Sequence, residues 1–181
     1  MEITKVKLIE WPDIVSKLIR GGTHGINYAV VDCPMVLVHK AAHVDANTCN
    51  TLGYGVFETY HNGGAFVVNT GDIGVAHIGD LDNKWLDAFV REFVLWLKEQ
   101  GLNVTYESND ILVDGYKVCG TSVTRYGRVD YTACVIGINT NLDHIKQICR
   151  KPMSKVPKGL ADYGITTDEV GNWLLEFCKK N

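Results

Sequence analysis

Short apolar runs, most of them rich in valine and isoleucine, alternate along this chain with clusters of glycine, asparagine and aspartate. Such runs read as strands parted by turns. They comprise "KVKLIEW" (5–11), "NYAVVD" (27–32), "PMVLVHK" (34–40), "YGVFETY" (54–60), "AFVVN" (65–69) and "IGVAHIG" (73–79). "LNVTYE" (102–107), "DILV" (110–113), "YKVCG" (116–120) and "YTACVIGIN" (131–139) follow, with Asp114-Gly115 as a strong hairpin signal. Between them lie stretches of helical period. Pro12 suits a first helical position, and "DIVSKLIR" carries its apolar residues on one face up to Gly21-Gly22. "DANTCNTLG" reads as a short helix capped by Asp45 and stopped by Gly53. The clearest helix is 82–101, where Trp85, Leu86, Phe89, Val90, Phe93 and Leu97 recur at helical spacing, Asp82 can cap and Gly101 stops. "NLDHIKQIC" (141–149) is a short helix, and Thr166 to Glu169 form a capping box that opens a last one through Trp173, Leu174 and Phe177.

Many strands with a few interspersed helices predict an α+β domain, a central mixed, largely antiparallel sheet flanked by helices. No repeat or linker divides the chain, so residues 1–181 are expected to form a single domain. No strand leads through G-x-G-x-x-G into a helix, which argues against a Rossmann dinucleotide site. A net charge of −3 gives no reason to expect a nucleic-acid partner. The absence of a long apolar run argues against a membrane span, and the first residues carry no signal-peptide pattern, so the expected setting is cytoplasmic. The cysteines are scattered without a C-x-x-C pair, and the histidines form no H-x-x-H or H-E-x-x-H pattern, so no metal site is expected.

Two stretches carry candidate chemistry. In "YHNGGAFVVNTGD" (60–72) the pair Gly63-Gly64 is open to two readings: a plain hairpin turn, or a Cβ-free backbone that lets N–H groups approach a phosphate or carbonyl. In "NDILVDGYKVCGTSVTR" (109–125) a single lysine, Lys117, stands in an apolar strand. It is either a solvated lysine on an edge strand or an inward cation that stabilises an anionic phosphate and a polarised acyl carbonyl, with Gly120 leaving room beside it.

In order and spacing the two stretches resemble the catalytic domain of lipoate–protein ligase A and its relatives, the biotin ligases and octanoyltransferases. That family carries R-R-x-x-G-G-G-A-V-x-H-x-x-G-N and later N-D-(I/L)-x-x-x-G-K-K-(I/V)-S-G-x-A. The resemblance spans roughly residues 26–170. "NLDHIKQI" is similar to the family's helix after the strand that normally reads H-G-T-L-L-x-N. Departures are visible as well: Glu58-Thr59-Tyr60-His61 replace the arginine-rich entry, Asn62 the first glycine, Val68 the histidine and Asp72 the asparagine.

The resemblance implies a class II synthetase, biotin–lipoate ligase-like fold and an ATP-dependent acyl ligase. A fatty acid, lipoate or octanoate, is activated as acyl-adenylate and passed to a lysine of a lipoyl-acceptor protein domain, with Mg2+ accompanying the ATP. Lys117 would be the catalytic lysine. Gly63, Gly64 and Ala65 would line the acyl-adenylate, with His61 beside them and Asp72 at the second turn. Asp110 would meet the adenine or its metal-bridged phosphate, and Gly120, Thr121 and Ser122 would complete the substrate site. Val36, Val38, Val67 and Val75 either wall an acyl tunnel or are plain core. The chain lacks the small accessory domain of full-length lipoate ligases, so a partner protein supplies it or the domain works without it. Two alternatives stay open. One is an octanoyl carrier-protein transferase with Cys149 as its thioester nucleophile, the thiol activated by Arg150 and Lys151. The other is a non-catalytic module of the same fold that binds an acyl group or nucleotide.

Overall fold

A computed structural model describes residues 3–5, 7, 10–22, 24–39, 43–59, 64–81 and 84–180. Its framework is a seven-stranded sheet in the order β1-β2-β6-β10-β9-β8-β7. The strands are β1 (Ile3–Lys5), β2 (Gly25–Val30), β6 (Ile73–Asp80), β7 (Val104–Glu107), β8 (Asp110–Val113), β9 (Tyr116–Tyr126) and β10 (Val129–Ile136). Within this sheet β1 pairs parallel with β2 and every other ladder is antiparallel, which gives the mixed, largely antiparallel α+β arrangement. A second sheet, β4-β3-β5, is built from β3 (Met35–Val38), β4 (Gly55–Glu58) and β5 (Ala65–Val68). The expected single sheet is thus two. The apolar runs other than 5–11 each meet a strand, but which strand pairs with which is decided by burial on the two faces of β3. Met35 and Leu37 pack toward the large sheet, while Val36 and Val38 pack with Cys49 and Ile148 on the other side.

Alternation divides the large sheet into two faces. Ile73, Val75, Cys134 and Ile136 meet α3 (Trp85–Glu99) and α5 (Thr167–Lys180), whose Phe89, Phe93, Leu97, Leu174 and Phe177 fill that layer. Ala76, Ile78, Tyr131 and Ala133 face the small sheet and α1 (Trp11–Gly21) through Trp11 and Val15. The helix signals act as read. Asp45 accepts from the Thr48 N–H at the start of α2 (Ala46–Thr51), and Thr166 and Glu169 exchange backbone-to-side-chain bonds before α5. The capping role given to Asp82 lies outside the described residues. Of the strand expected over 5–11, Lys5 closes β1 and Trp11 opens α1, with Pro12 in its first turn, while residues 6, 8 and 9 lie outside the described residues. The short helix α4 (Leu142–Ile148) is capped by Asn141, and a 3-10 turn at Leu160–Tyr163 was not foreseen. Among the described residues no helix is long and apolar enough to cross a membrane.

Candidate active site

Two tight turns frame the site. The β7–β8 turn passes through Ser108 and Asn109 at φ of 50° and 70°, and the β8–β9 turn through Asp114 and Gly115 at 51° and 81°. Positive φ at both central residues matches the twist of paired strands, and Asn, Asp and Gly bear it most easily. The β8–β9 ladder slips once, between Ile111 and Leu112. β10 pairs with β9 only from Cys119 onward. Where β10 stops, residues 156–158 take its place. The Lys117 N–H donates to the Val156 carbonyl and the Lys158 N–H donates to the Lys117 carbonyl, each at 2.9 Å. Lys117 is therefore paired on both sides and does not lie on an edge.

The Lys117 side chain crosses a cleft between the two sheets. Its Nζ lies 2.7 Å from Asp110 Oδ1 and 5.9 Å from the centre of the Phe66 ring on β5. The ammonium-bearing chain is one third exposed and the Asp110 carboxylate mostly buried, at 32% and 13%. Gly120 makes this path possible. A Cβ there would come within 2.8 Å of Phe66 and 3.0 Å of both Cε and Nζ of Lys117. A second cation shares the carboxylate: Lys155 Nζ stands 3.9 Å from Asp110 Oδ2 and donates to the Glu107 carbonyl at 2.7 Å. Lys155 was not singled out in the sequence. Its only signal is its place three residues before Lys158, in a segment whose pairing with β9 has no local pattern.

The cleft has a volume of about 770 Å³. Gly64, Ala65, Phe66 and Val67 form one wall, with Lys117, Gly120 and Ser122 opposite. Both stretches singled out in the sequence thus meet in one cavity. Gly64 is open on this side, since a Cβ there would find nothing within 4 Å. Gly63 and His61 lie outside the described residues.

Residues 30–175 match the family model of the lipoyl protein ligase A/B catalytic domain. The chain belongs to that family. It is a lipoate–protein ligase-like catalytic domain, and solved structures of this family and its relatives share its fold. A bipartite lipoate protein ligase of Thermoplasma acidophilum, described with its E2 lipoyl domain, superposes with a TM-score of 0.78 at 16% identity, over 98% of this chain and 81% of that one. A lipoate–protein ligase A bound with ATP gives 0.76 at 18% identity, over 99% and 85%. The Plasmodium falciparum LipL1 in complex with lipoate gives 0.79 at 12% identity, over 98% and 58%. A comparison with curated proteins finds no match.

The remaining residues chosen from the ligase motifs separate by orientation. Thr121 points its hydroxyl at the Asn109 carbonyl, 3.0 Å away, and so secures the β7–β8 turn. Ser122 lines the cleft and keeps its Oγ buried, without a partner among the described residues. Asp72 reaches the cleft, yet both its oxygens are engaged: Oδ1 accepts from the N–H of Ile138 and Asn139 at 2.6 and 2.9 Å, and Oδ2 from the N–H of Asn69 at 2.7 Å. Burial raises its pKa against the pull of those three donors. Cys149 lines the cleft. Burial, reinforced by Cys49, raises the pKa of its thiol, and Arg150 turns to Asp45 at 3.7 Å. The expected activation by Arg150 and Lys151 is absent: the thiol is pushed up by partial burial and Cys49, and Arg150 is turned toward Asp45 instead. Of the four valines, Val67 lines the cleft, whereas Val75 faces α3 and α5 across the sheet. Among the described residues no group of three or more His, Cys, Asp or Glu side chains could hold a metal ion.

Proposed function

We propose that this domain activates a medium-chain carboxylic acid, lipoate or octanoate, with ATP and passes the acyl group to a lysine of a lipoyl-acceptor domain. One observation carries the reading. Lys117, held on both sides by backbone pairing, presents its ammonium to a cleft that also contains Gly64 and Ala65. The ATP and the lipoate bound by two of the structural neighbours, and the E2 lipoyl domain that accompanies a third, support it.

In the first step a carboxylate oxygen attacks the α-phosphorus and pyrophosphate leaves. The two anions repel, and an ordered cation in a poorly solvated site offsets that repulsion most effectively. Lys117 supplies it at the reacting atoms, and Lys155 holds the rear of the cleft positive. Asp110 keeps both ammonium groups in place until an anion competes for them. Gly120 leaves the space through which the ammonium reaches. In the second step the acceptor amine attacks the acyl carbon, an amide forms, AMP departs and the amine loses a proton. Magnesium bound with the nucleotide would screen the phosphates, and Asp110 is the cleft carboxylate suited to it, since this ion needs only one or two carboxylates beside phosphate oxygens. A separate protein in the role of the accessory domain and a cytoplasmic setting belong to the same reading.

The thioester route through Cys149 is disfavoured, because a half-buried thiol of raised pKa is a poor nucleophile. Incubation with ATP, magnesium and either lipoate or octanoate, followed by assay of pyrophosphate and acyl-adenylate, tests the proposal. Release of pyrophosphate dependent on the acid is expected. Binding without any release would leave the non-catalytic module.

A further inference from the structure

We propose that Ser122 determines which acid this cleft prefers, by hydrogen-bonding an atom near the distal end of the acyl group; this rests on the ligase reading above. Ser122 is 9% exposed and its Oγ has no hydrogen-bond partner among the described residues. Buried hydroxyls are almost always paired, and a persistent exception asks for a ligand atom. The described residues around it offer none. Its neighbour across the β9–β10 ladder is Ala133, and Val135 and Phe66 complete an apolar wall.

Position along the strand tells which part of the ligand comes near. Lys117 Nζ lies over Gly120, 3.0 Å from where a Cβ would stand. Gly120 and Ser122 share a face of β9, two residues apart, which is about 7 Å along a strand. An acyl chain whose carboxyl group meets Lys117 and which follows β9 reaches Ser122 after roughly five or six carbons, at a little over an ångström of advance per bond. In lipoate that place is taken by the dithiolane ring, whose sulfur can accept a weak hydrogen bond. In octanoate it is a methylene, which leaves the hydroxyl buried and unpaired. The apolar wall favours the acyl arm over the nucleotide as the group that lies here.

Calorimetric titration of lipoate, octanoate, 6-hydroxyoctanoate and ATP into the wild-type chain and Ser122→Ala tests this without requiring turnover. Wild type should bind lipoate and 6-hydroxyoctanoate several-fold more tightly than octanoate, in keeping with the modest net worth of one buried hydrogen bond. Ser122→Ala should erase that gap by weakening lipoate and 6-hydroxyoctanoate, and leave octanoate and ATP binding unchanged. Its melting temperature should be equal or higher, because an unpaired buried hydroxyl is removed. An unchanged preference in Ser122→Ala, a loss confined to ATP, or no acid binding by the wild type would each overturn the assignment. Discrimination without pyrophosphate release would uphold Ser122 and sink the ligase reading instead.

Discussion

Asp110 holds the ammonium of Lys117 at 2.7 Å, from a carboxylate that is itself largely out of water. The pair is internal to the cleft, so an incoming phosphate or carboxylate has to compete with Asp110 for the lysine. Lys155, 3.9 Å away, remains to balance Asp110 when it does.

Removal of the lysine should therefore abolish chemistry while sparing the fold. Lys117→Ala is expected to lower acid-dependent pyrophosphate release on the order of 100-fold or more, the usual loss for a donor aimed at developing charge. Its melting curve should stay close to wild type, because the residue's fixed contacts to 156–158 are made by its backbone. A folded Lys117→Ala protein with unchanged rate would discard the mechanism.

Gly120→Ala should separate activity from stability. The added methyl meets the far ends of two flexible side chains, Phe66 and Lys117, which can move aside. Stability should change little, while the displaced ammonium lowers the adenylation rate at least tenfold, as misplaced catalytic groups do. Gly159→Ala makes the contrast: there the methyl strikes the Ile138 carbonyl and the Thr140 N–H, both backbone. That variant should melt well below wild type.

Cys149→Ser should retain ATP-dependent transfer. Partial burial and Cys49 raise the pKa of the thiol, so intact-mass spectrometry after exposure to octanoyl carrier protein should find no acyl adduct on the chain. An adduct at Cys149 would reverse the ranking of the two routes.

His77 predicts how the fold responds to acid. It is 3% exposed and stacks on Trp85 with ring centres 4.7 Å apart. Burial, aided by the charge of His24, lowers its pKa from 6.5 to about 4. The unfolded chain thus binds a proton more readily than the folded one between those values. Stability contributed by neutral His77 is full above pH 6.5 and is lost as pH falls toward 4. The total is on the order of 3 kcal/mol. Melting temperatures across pH 4 to 7 should drop more steeply for wild type than for His77→Phe, which keeps the stack and cannot titrate. Parallel curves would assign acid sensitivity to other groups.

Legibility in the sequence followed the range of the interaction involved. Lys117, Gly120, the Asp114-Gly115 turn and the Thr166–Glu169 box are local patterns with local causes, and each could be read from neighbouring residues. Lys155 could not, because it enters the site through the pairing of Val156 and Lys158 with Lys117, across some forty positions and beside a proline that argues against a strand. The division into two sheets was hidden for a similar reason. "PMVLV" announces a strand buried on both faces without naming the partner on either. Side-chain direction was the third gap. Thr121 and Ser122 are neighbours in one motif, but strand alternation sends one hydroxyl to Asn109 and the other into the cleft.

The turn from Asn69 to Asp72 has a further consequence. Exposed turn tips rich in small polar residues are where chains usually accept insertions, cuts and new termini. This one looks like such a place, yet Asp72 ties it to Ile138 and Asn139, the Asn139 side chain donates to the Thr70 carbonyl, and the Thr167 hydroxyl donates to the Gly71 carbonyl. One four-residue turn is thereby bonded to the link that precedes α4 and to the first residue of α5. A circular permutant opened between Thr70 and Gly71 would release three distant pieces of chain at once, whereas one opened at Gly127, in the β9–β10 turn, would part only two neighbouring strands.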